Sequence, residues 1–241
     1  MSVLSPKVAL ELVDKALVLG KRHFWSLMRL ALIPFLAATG IVYVFVRPAT
    51  TVAGRSAATI AAYALYAVME AVTMVGAWDL LHGEALDVAT AWSRVRRRAL
   101  SVAISFAIKA FLIVLGGIAL VVPGLYFLGI YFAVPGANAI EDLGIHASLV
   151  RSRALALGSI PGILLSVGAL WIVAVLASLA LARGLIFLGA APAIRTAASI
   201  VWAALVVPFR AALSTLVYLE IRIRKEGYDL QHALRSLPSA A

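Results

Sequence analysis

Six long apolar segments, separated by short polar ones, dominate the pattern of this 241-residue chain. A membrane-crossing helix needs about 20 mostly apolar residues, because each residue advances it by about 1.5 Å through a hydrocarbon layer about 30 Å thick. The pattern therefore predicts an all-α integral membrane protein with one polytopic domain over residues 1–241. The predicted spans are residues 24–46, 57–78, 99–121, 124–140, 160–182 and 197–221.

Between the fifth and sixth spans the chain reads RGLIFLGAAPAIRT. This stretch is apolar, but glycine and proline interrupt it. We therefore predict a loop or an interfacial turn here rather than part of a span.

The connections on one side of this topology carry a second pattern, in which apolar residues recur every three or four positions. The recurring residues are Leu10, Val13 and Leu17 before the first span, Leu86, Ala89, Trp92 and Val95 before the third, Ile145, Leu149 and Leu157 before the fifth, and Leu230, Leu234 and Leu237 after the sixth. Such spacing favours a helix lying in the membrane interface. We expect three hairpins, each preceded by an amphipathic interfacial helix, and a C-terminal amphipathic helix. A true internal repeat and the ordinary layout of an even-span protein both remain open.

The composition supports a membrane protein and excludes several classes of site. Hydrophobic residues make up 63% of the chain and charged residues only 13%, whereas about a quarter of a soluble domain is charged. The chain has no cysteine, which excludes disulfides, thiolate catalysis and Cys-ligated metals. The first residues also lack the basic, apolar and small-residue order of a cleavable signal peptide.

The cations fall mainly on one side of the predicted topology. Outside the spans, fourteen lysines and arginines lie on that side and four on the other. The positive-inside rule places the richer side, with both termini, in the cytoplasm. The interfacial cations expected to contact anionic lipid are Arg94, Arg96, Arg97, Arg98, Arg151, Arg153, Arg222, Arg224 and Lys225. Because these cations are spread over every connection rather than gathered in one patch, we do not expect nucleic-acid binding.

Three ionisable residues are predicted at a similar depth inside the membrane. Glu70, Lys109 and Arg210 lie ten to thirteen residues inside their spans, where an unpaired charge is costly. We expect Glu70 to pair with Lys109 or Arg210. One interpretation is a structural ion pair that fixes helix packing, and the other is a polar pocket for an anionic lipid headgroup or solute. Arg29 lies close enough to the cytoplasmic interface to reach it.

No arrangement of residues in the sequence points to catalysis. The histidines lie in separate segments without metal-ligand spacing, and no nucleotide-binding or nucleophile motif is present. The acidic pair Glu141–Asp142 is interpreted as a solvated span end. We therefore assign no catalytic residue, metal or cofactor, and an intramembrane lipid-modifying enzyme stays open only as a weaker alternative.

Three segments share a pattern with a known family. The first segment, near the N-terminus, reads LELVDKALVLGKRHFWSLMRLALIP. The second reads VVPGLYFLGIYFAVPGANAIEDLGIHASLVRSRALALGSIPGILL, and the third, near the C-terminus, reads LVYLEIRIRKEGYDLQHAL. Together they resemble the membrane domain found in some glycerophosphoryl diester phosphodiesterases and in related bacterial inner-membrane proteins. The resemblance implies a six-span module of the bacterial cytoplasmic membrane and no settled activity. In that family the hydrolysis belongs to a separate soluble barrel, whose His-Glu motifs this chain lacks.

Taken together, the sequence predicts a non-enzymatic membrane scaffold or accessory subunit. It would organise anionic membrane lipid, or dock a membrane-protein partner, at the cytoplasmic face. A transporter or channel component, with Glu70, Lys109 and Arg210 along its path, is the alternative from another class.

Overall fold

The computed structural model of the chain describes residues 6–46 and 51–228. It is 88% helix, and the described residues contain no strand, which confirms the all-α prediction. The helices are α1 (Pro6–Arg22), α2 (Phe24–Ile41), α3 (Val52–Leu81), α4 (Val88–Ala119), α5 (Val121–Ile130), α6 (Val134–Ala139), α7 (Ile145–Ala156), α8 (Ile160–Phe187) and α9 (Pro192–Glu226). A π-helical turn, Val42–Val46, continues α2.

Six segments of the described chain are long and apolar enough to cross a membrane, as predicted. They are Phe24–Val46, Ala53–Leu81, Val88–Ala119, Val121–Ala139, Ile160–Phe187 and Pro192–Glu226. The fourth segment is not one helix. The helix is interrupted between α5 and α6 and resumes with Pro135 in the first turn of α6. Proline is tolerated there because a backbone N–H in the first turn has no partner within the helix.

Two predicted boundaries are wrong. Ten of the fourteen residues predicted as a loop or interfacial turn between the fifth and sixth spans are helical, because α8 runs on to Phe187 and α9 begins at Pro192. The turn needs only four residues, since Gly189 adopts a positive φ of 68° that a side chain would disfavour. Similarly, the expected interfacial helix before the third span is the first part of α4. No glycine or proline lies between Val88 and Leu115 of that helix, and Asp87 caps its start by accepting from Ala89 N at 3.0 Å.

The helices before the first and fifth spans are separate from the spans, as predicted. The residues that they bury are not those of the predicted apolar pattern. In α1, Ala9, Leu12 and Ala16 are buried, whereas Leu10 and Leu17 are 55% and 43% exposed. α1 packs along α8 and α9. In α7 the buried positions include Ser148, Ser152 and Leu155. Their position in an interface and the three-hairpin repeat remain predictions, and the expected C-terminal helix lies outside the described residues.

α9 and α3 form the centre of the bundle. α9 packs against α1, α2, α3 and α8, and α3 also packs against α2, α4 and α6. The main core cluster surrounds the fully buried Tyr218 and includes Met74, Leu155, Leu213 and Ile221. Gly227 ends α9 in the left-handed conformation, with a φ of 59°, which is typical of a glycine that stops a helix.

Close backbone contact between α4 and α5 requires glycine. A Cβ placed on Gly124 would lie 2.9 Å from both Gly117 Cα and Gly117 N. Backbone atoms cannot move aside as a flexible side chain can. Gly124→Ala should therefore lower the free energy of unfolding by about 1–3 kcal/mol, the usual effect of overpacking.

Thermal unfolding in mild detergent measures this effect, and Gly168→Ala is the matched control. A Cβ on Gly168, within α8, meets nothing within 4 Å, so this alanine should leave stability unchanged or raise it. Equal melting temperatures for the two variants would contradict the close α4–α5 contact.

Candidate functional site

Four charged side chains meet in one ion network at the basic end of the bundle, the end where the predicted interfacial cations lie. They are Glu141, just after α6, Arg151 of α7, and Arg222 and Glu226 of α9. Arg151 Nε donates to Glu141 Oε2 at 2.8 Å, and its Nη2 donates to Glu226 Oε2 at 2.9 Å. Arg222 Nε lies 3.3 Å from Glu226 Oε2 and 3.5 Å from Glu141 Oε1. The network thus ties three separate parts of the chain together.

This ion network is balanced in charge and only partly exposed. Its side chains are between 14% and 26% exposed. Burial alone would lower the pKa of the Arg151 guanidinium, but its hydrogen bonds to Glu226 and Glu141 and their negative charges raise that pKa above its usual value. Arg151 therefore stays charged at any physiological pH, and two cations face two carboxylates.

Aromatic side chains enclose Arg222 of the ion network. Its guanidinium carbon lies 5.7 Å from the ring centroid of Trp78, 5.8 Å from that of Tyr218 and 4.2 Å from that of Tyr228. The Tyr218 hydroxyl also donates to Glu141. Cation–π contacts of this kind stabilise a partly desolvated arginine, so the aromatic side chains connect the network to α3.

The interpretation of Glu141 and Asp142 as a solvated span end is wrong for Glu141. Asp142 has a side chain 73% exposed, but Glu141 is 16% exposed and engages two arginines. In the sequence, only the i,i+4 spacing of Arg222 and Glu226 indicates part of the network. The pairing of Glu141 with residues far along the chain depends on the fold.

A second cluster of arginines surrounds an open pocket of about 410 Å³ at the same end, which we call the arginine pocket. Its lining residues are Val75, Trp78, Arg94, Arg97, Arg98, Ala139, Ile140 and Asp142. Arg98 makes a two-pronged contact with Asp142 at 2.7 and 3.0 Å, and Arg94 Nη1 lies 3.1 Å from Asp79 Oδ1. Arg97 makes no hydrogen bond or ion pair with any residue that the structure describes. The lining of the pocket thus combines three arginines and one aspartate with four apolar residues.

The other predicted interfacial cations lie near this end but outside both clusters. Arg96 and Arg153 are exposed. Arg224 Nε lies 2.6 Å from Oε1 of Glu220, one turn earlier in α9. Lys225 Nζ donates to the Leu157 carbonyl at 2.6 Å, which ties the end of α9 to the end of α7.

The three ionisable residues predicted at membrane depth lie near one another. Glu70 and Arg210 line the same cavity, of about 580 Å³. Lys109 is buried, its Nζ lies 5.3 Å from the Phe106 ring centroid, and it interacts electrostatically with both Glu70 and Arg210. Glu70 was expected to pair directly with Lys109 or Arg210. In the part of the chain that the structure describes, no ion pair within 4.0 Å joins these residues.

A buried polar cluster joins α4, α6 and α7, and sequence reasoning did not find it. Asn138 Nδ2 donates to Ser101 Oγ at 2.9 Å and to Ser105 Oγ at 3.3 Å, and Ser105 Oγ lies 3.4 Å from Ser148 Oγ. These hydroxyls are isolated among apolar residues in the sequence, so no local pattern distinguishes them. The cluster fixes the packing of the broken fourth span against α4.

Comparisons with known proteins supply no relative for this chain. No protein-family model matches it, and no curated protein and no solved structure matches it. The resemblance to the phosphodiesterase membrane domain therefore stays a prediction.

The ion network should contribute measurably to stability. Arg151→Met leaves Glu141 and Glu226 partly buried with one arginine between them. We expect the free energy of unfolding to fall by about 1–3 kcal/mol, less than for a fully buried pair because solvent still screens these groups.

Thermal unfolding of Arg151→Met, Glu226→Gln and the double variant tests this expectation as a double-mutant cycle. Coupling between the two sites should account for most of the loss. Arg153→Met, an exposed cation on the same helix, is the control and should change stability little. A loss as large at Arg153 would show that net charge, not the network, is responsible.

Proposed function

We propose that this protein is a non-enzymatic membrane scaffold that organises anionic lipid at the cytoplasmic face of a bacterial inner membrane. The single observation that carries the proposal is the arginine pocket. Its apolar lining residues, Val75, Trp78, Ala139 and Ile140, suit the apolar part of a lipid next to the headgroup. Its arginines supply guanidinium groups, which bind phosphate oxygens with good geometry.

The charge balance of the pocket favours an anion. Arg94 and Arg98 each have a carboxylate partner, Asp79 and Asp142, whereas Arg97 has none among the described residues. One positive charge is thus left for a ligand. The positive-inside rule supports a cytoplasmic location for this end, where bacterial and other cytoplasmic leaflets carry anionic lipid.

A second candidate function is a transporter or channel component. The observation that favours it is the shared cavity of Glu70 and Arg210 at membrane depth. The scaffold remains the preferred proposal, because that cavity does not by itself give a path from one side of the bundle to the other.

Neutralising Arg97 should weaken binding of anionic lipid. A direct hydrogen bond from Arg97 to a headgroup phosphate should contribute about 1 kcal/mol net, which corresponds to a change of roughly fivefold. Native mass spectrometry of the protein from nanodiscs of mixed phosphatidylglycerol and phosphatidylcholine measures how much phosphatidylglycerol each variant retains. We expect Arg97→Gln to retain roughly fivefold less than the unmodified protein.

Arg96→Gln is the matched control, because Arg96 is the neighbouring cation on α4 and does not line the pocket. It removes the same charge, and we expect retention to change less than twofold. Equal losses in the two variants would indicate diffuse surface attraction and would contradict a defined headgroup site.

A further inference from the structure

Two cations and one carboxylate, Lys109, Arg210 and Glu70, lie near one another at the predicted membrane depth. Glu70 and Arg210 line the cavity, and Lys109 interacts electrostatically with both. Among the described residues, Glu70, Lys109 and Arg210 make no side-chain hydrogen bond or ion pair, and the Lys109 ammonium lies 5.3 Å from the Phe106 ring centroid. Lys109 is 7% exposed. Arg210 lies ten residues before Glu220 in α9, about 15 Å deeper along the helix. At that depth an unbalanced charge calls for a counter-ion.

The walls of this cavity are mainly apolar. Aromatic side chains from three helices surround the charged groups: Phe35, Tyr63, Tyr66 and Phe106. A small hydrophilic anion would lose its hydration shell here with few hydrogen-bond donors to replace it. The chemistry of the walls therefore suits an anion that is attached to an apolar chain.

A groove for such a chain lies directly beside the cavity. It runs between α3 and α4, encloses about 560 Å³, and shares the wall residues Thr59, Tyr63 and Phe106 with the cavity. Elsewhere it is lined by side chains that are strongly exposed on the protein surface, such as Ile60 at 67% and Leu100 at 74%. In a membrane these side chains face lipid.

We propose that the cavity binds the carboxylate head of a long-chain fatty acid, with the acyl chain lying in the α3–α4 groove. A carboxylate carries one negative charge, which balances the excess cation, and it accepts two parallel hydrogen bonds from an arginine such as Arg210. A single-chain amphiphile can place its head at this depth, whereas a two-chain phospholipid holds its phosphate at the interface. This site is separate from the arginine pocket and does not depend on the scaffold function.

Photolabelling tests the proposal on the full-length protein in phosphatidylcholine nanodiscs. The probe is a palmitate analogue with a diazirine on its chain, and mass spectrometry of the digested protein locates the adducts. We expect adducts on α3 and α4 residues of the groove, and roughly a tenfold lower yield in Arg210→Gln and in Lys109→Met. Glu70→Gln removes the competing carboxylate and should raise the yield, a direction that a purely structural ion cluster does not predict.

Two comparisons keep the result decisive if a charge variant fails to fold. Ala203→Phe fills the cavity without changing any charge and should also lower the yield. Arg29→Gln removes a cation from α2 outside the cavity and should not. On the unmodified protein, oleate should compete with the probe, whereas oleyl alcohol and acetate should not.

Three outcomes would overturn the proposal. The first is unchanged labelling of the groove in both Arg210→Gln and Ala203→Phe. The second is equal competition by oleyl alcohol, which would show that the carboxylate is not recognised. The third is equal competition by acetate, which would show a site for a small soluble anion instead.

Discussion

A charged side chain inside a hydrocarbon layer needs a counter-charge or a polar partner, and this constraint organises the whole bundle. Eighteen of the 21 lysines and arginines lie outside the predicted spans, where water and lipid headgroups solvate them. The chain then uses some of them for structure. Arg151 holds Glu141 and Glu226 together across three parts of the chain, and the aromatic side chains around Arg222 extend that contact to α3.

The same constraint distinguishes the structural charges from those available to a ligand. The ion network pairs two arginines with two carboxylates, so it has no charge left to offer. Arg97 at the basic end and the trio of Glu70, Lys109 and Arg210 at depth are not balanced within the described residues. Both proposed ligands are anions for this reason: a phospholipid headgroup at the arginine pocket and a fatty-acid carboxylate at the cavity.

The fold was predictable where it depends on local composition, and unpredictable where it depends on contacts. Apolar segment length is a local property, so the sequence showed all six membrane-length segments. The sequence also predicted a common depth for Glu70, Lys109 and Arg210 from helix rise; that depth stays a prediction, and the structure shows that the three residues lie near one another. The pairing of Glu141 depends on contacts with α7 and with α9, which is distant in sequence, so no local pattern shows it. The continuity of α4 from Val88 has local signals, the Asp87 cap and the absence of glycine and proline in its first part, but the amphipathic spacing favoured a separate helix.

The orientation of the bundle is the claim on which the scaffold function rests, and single-cysteine labelling tests it most directly. The chain has no cysteine, so one introduced thiol gives an unambiguous signal. Glu84→Cys lies in the loop between α3 and α4, at the basic end, and Leu188→Cys, 76% exposed, lies in the α8–α9 turn. A membrane-impermeant maleimide should label Leu188→Cys in intact cells and Glu84→Cys only after the cells are opened. The reverse pattern would place the arginine pocket outside the cell and contradict the account.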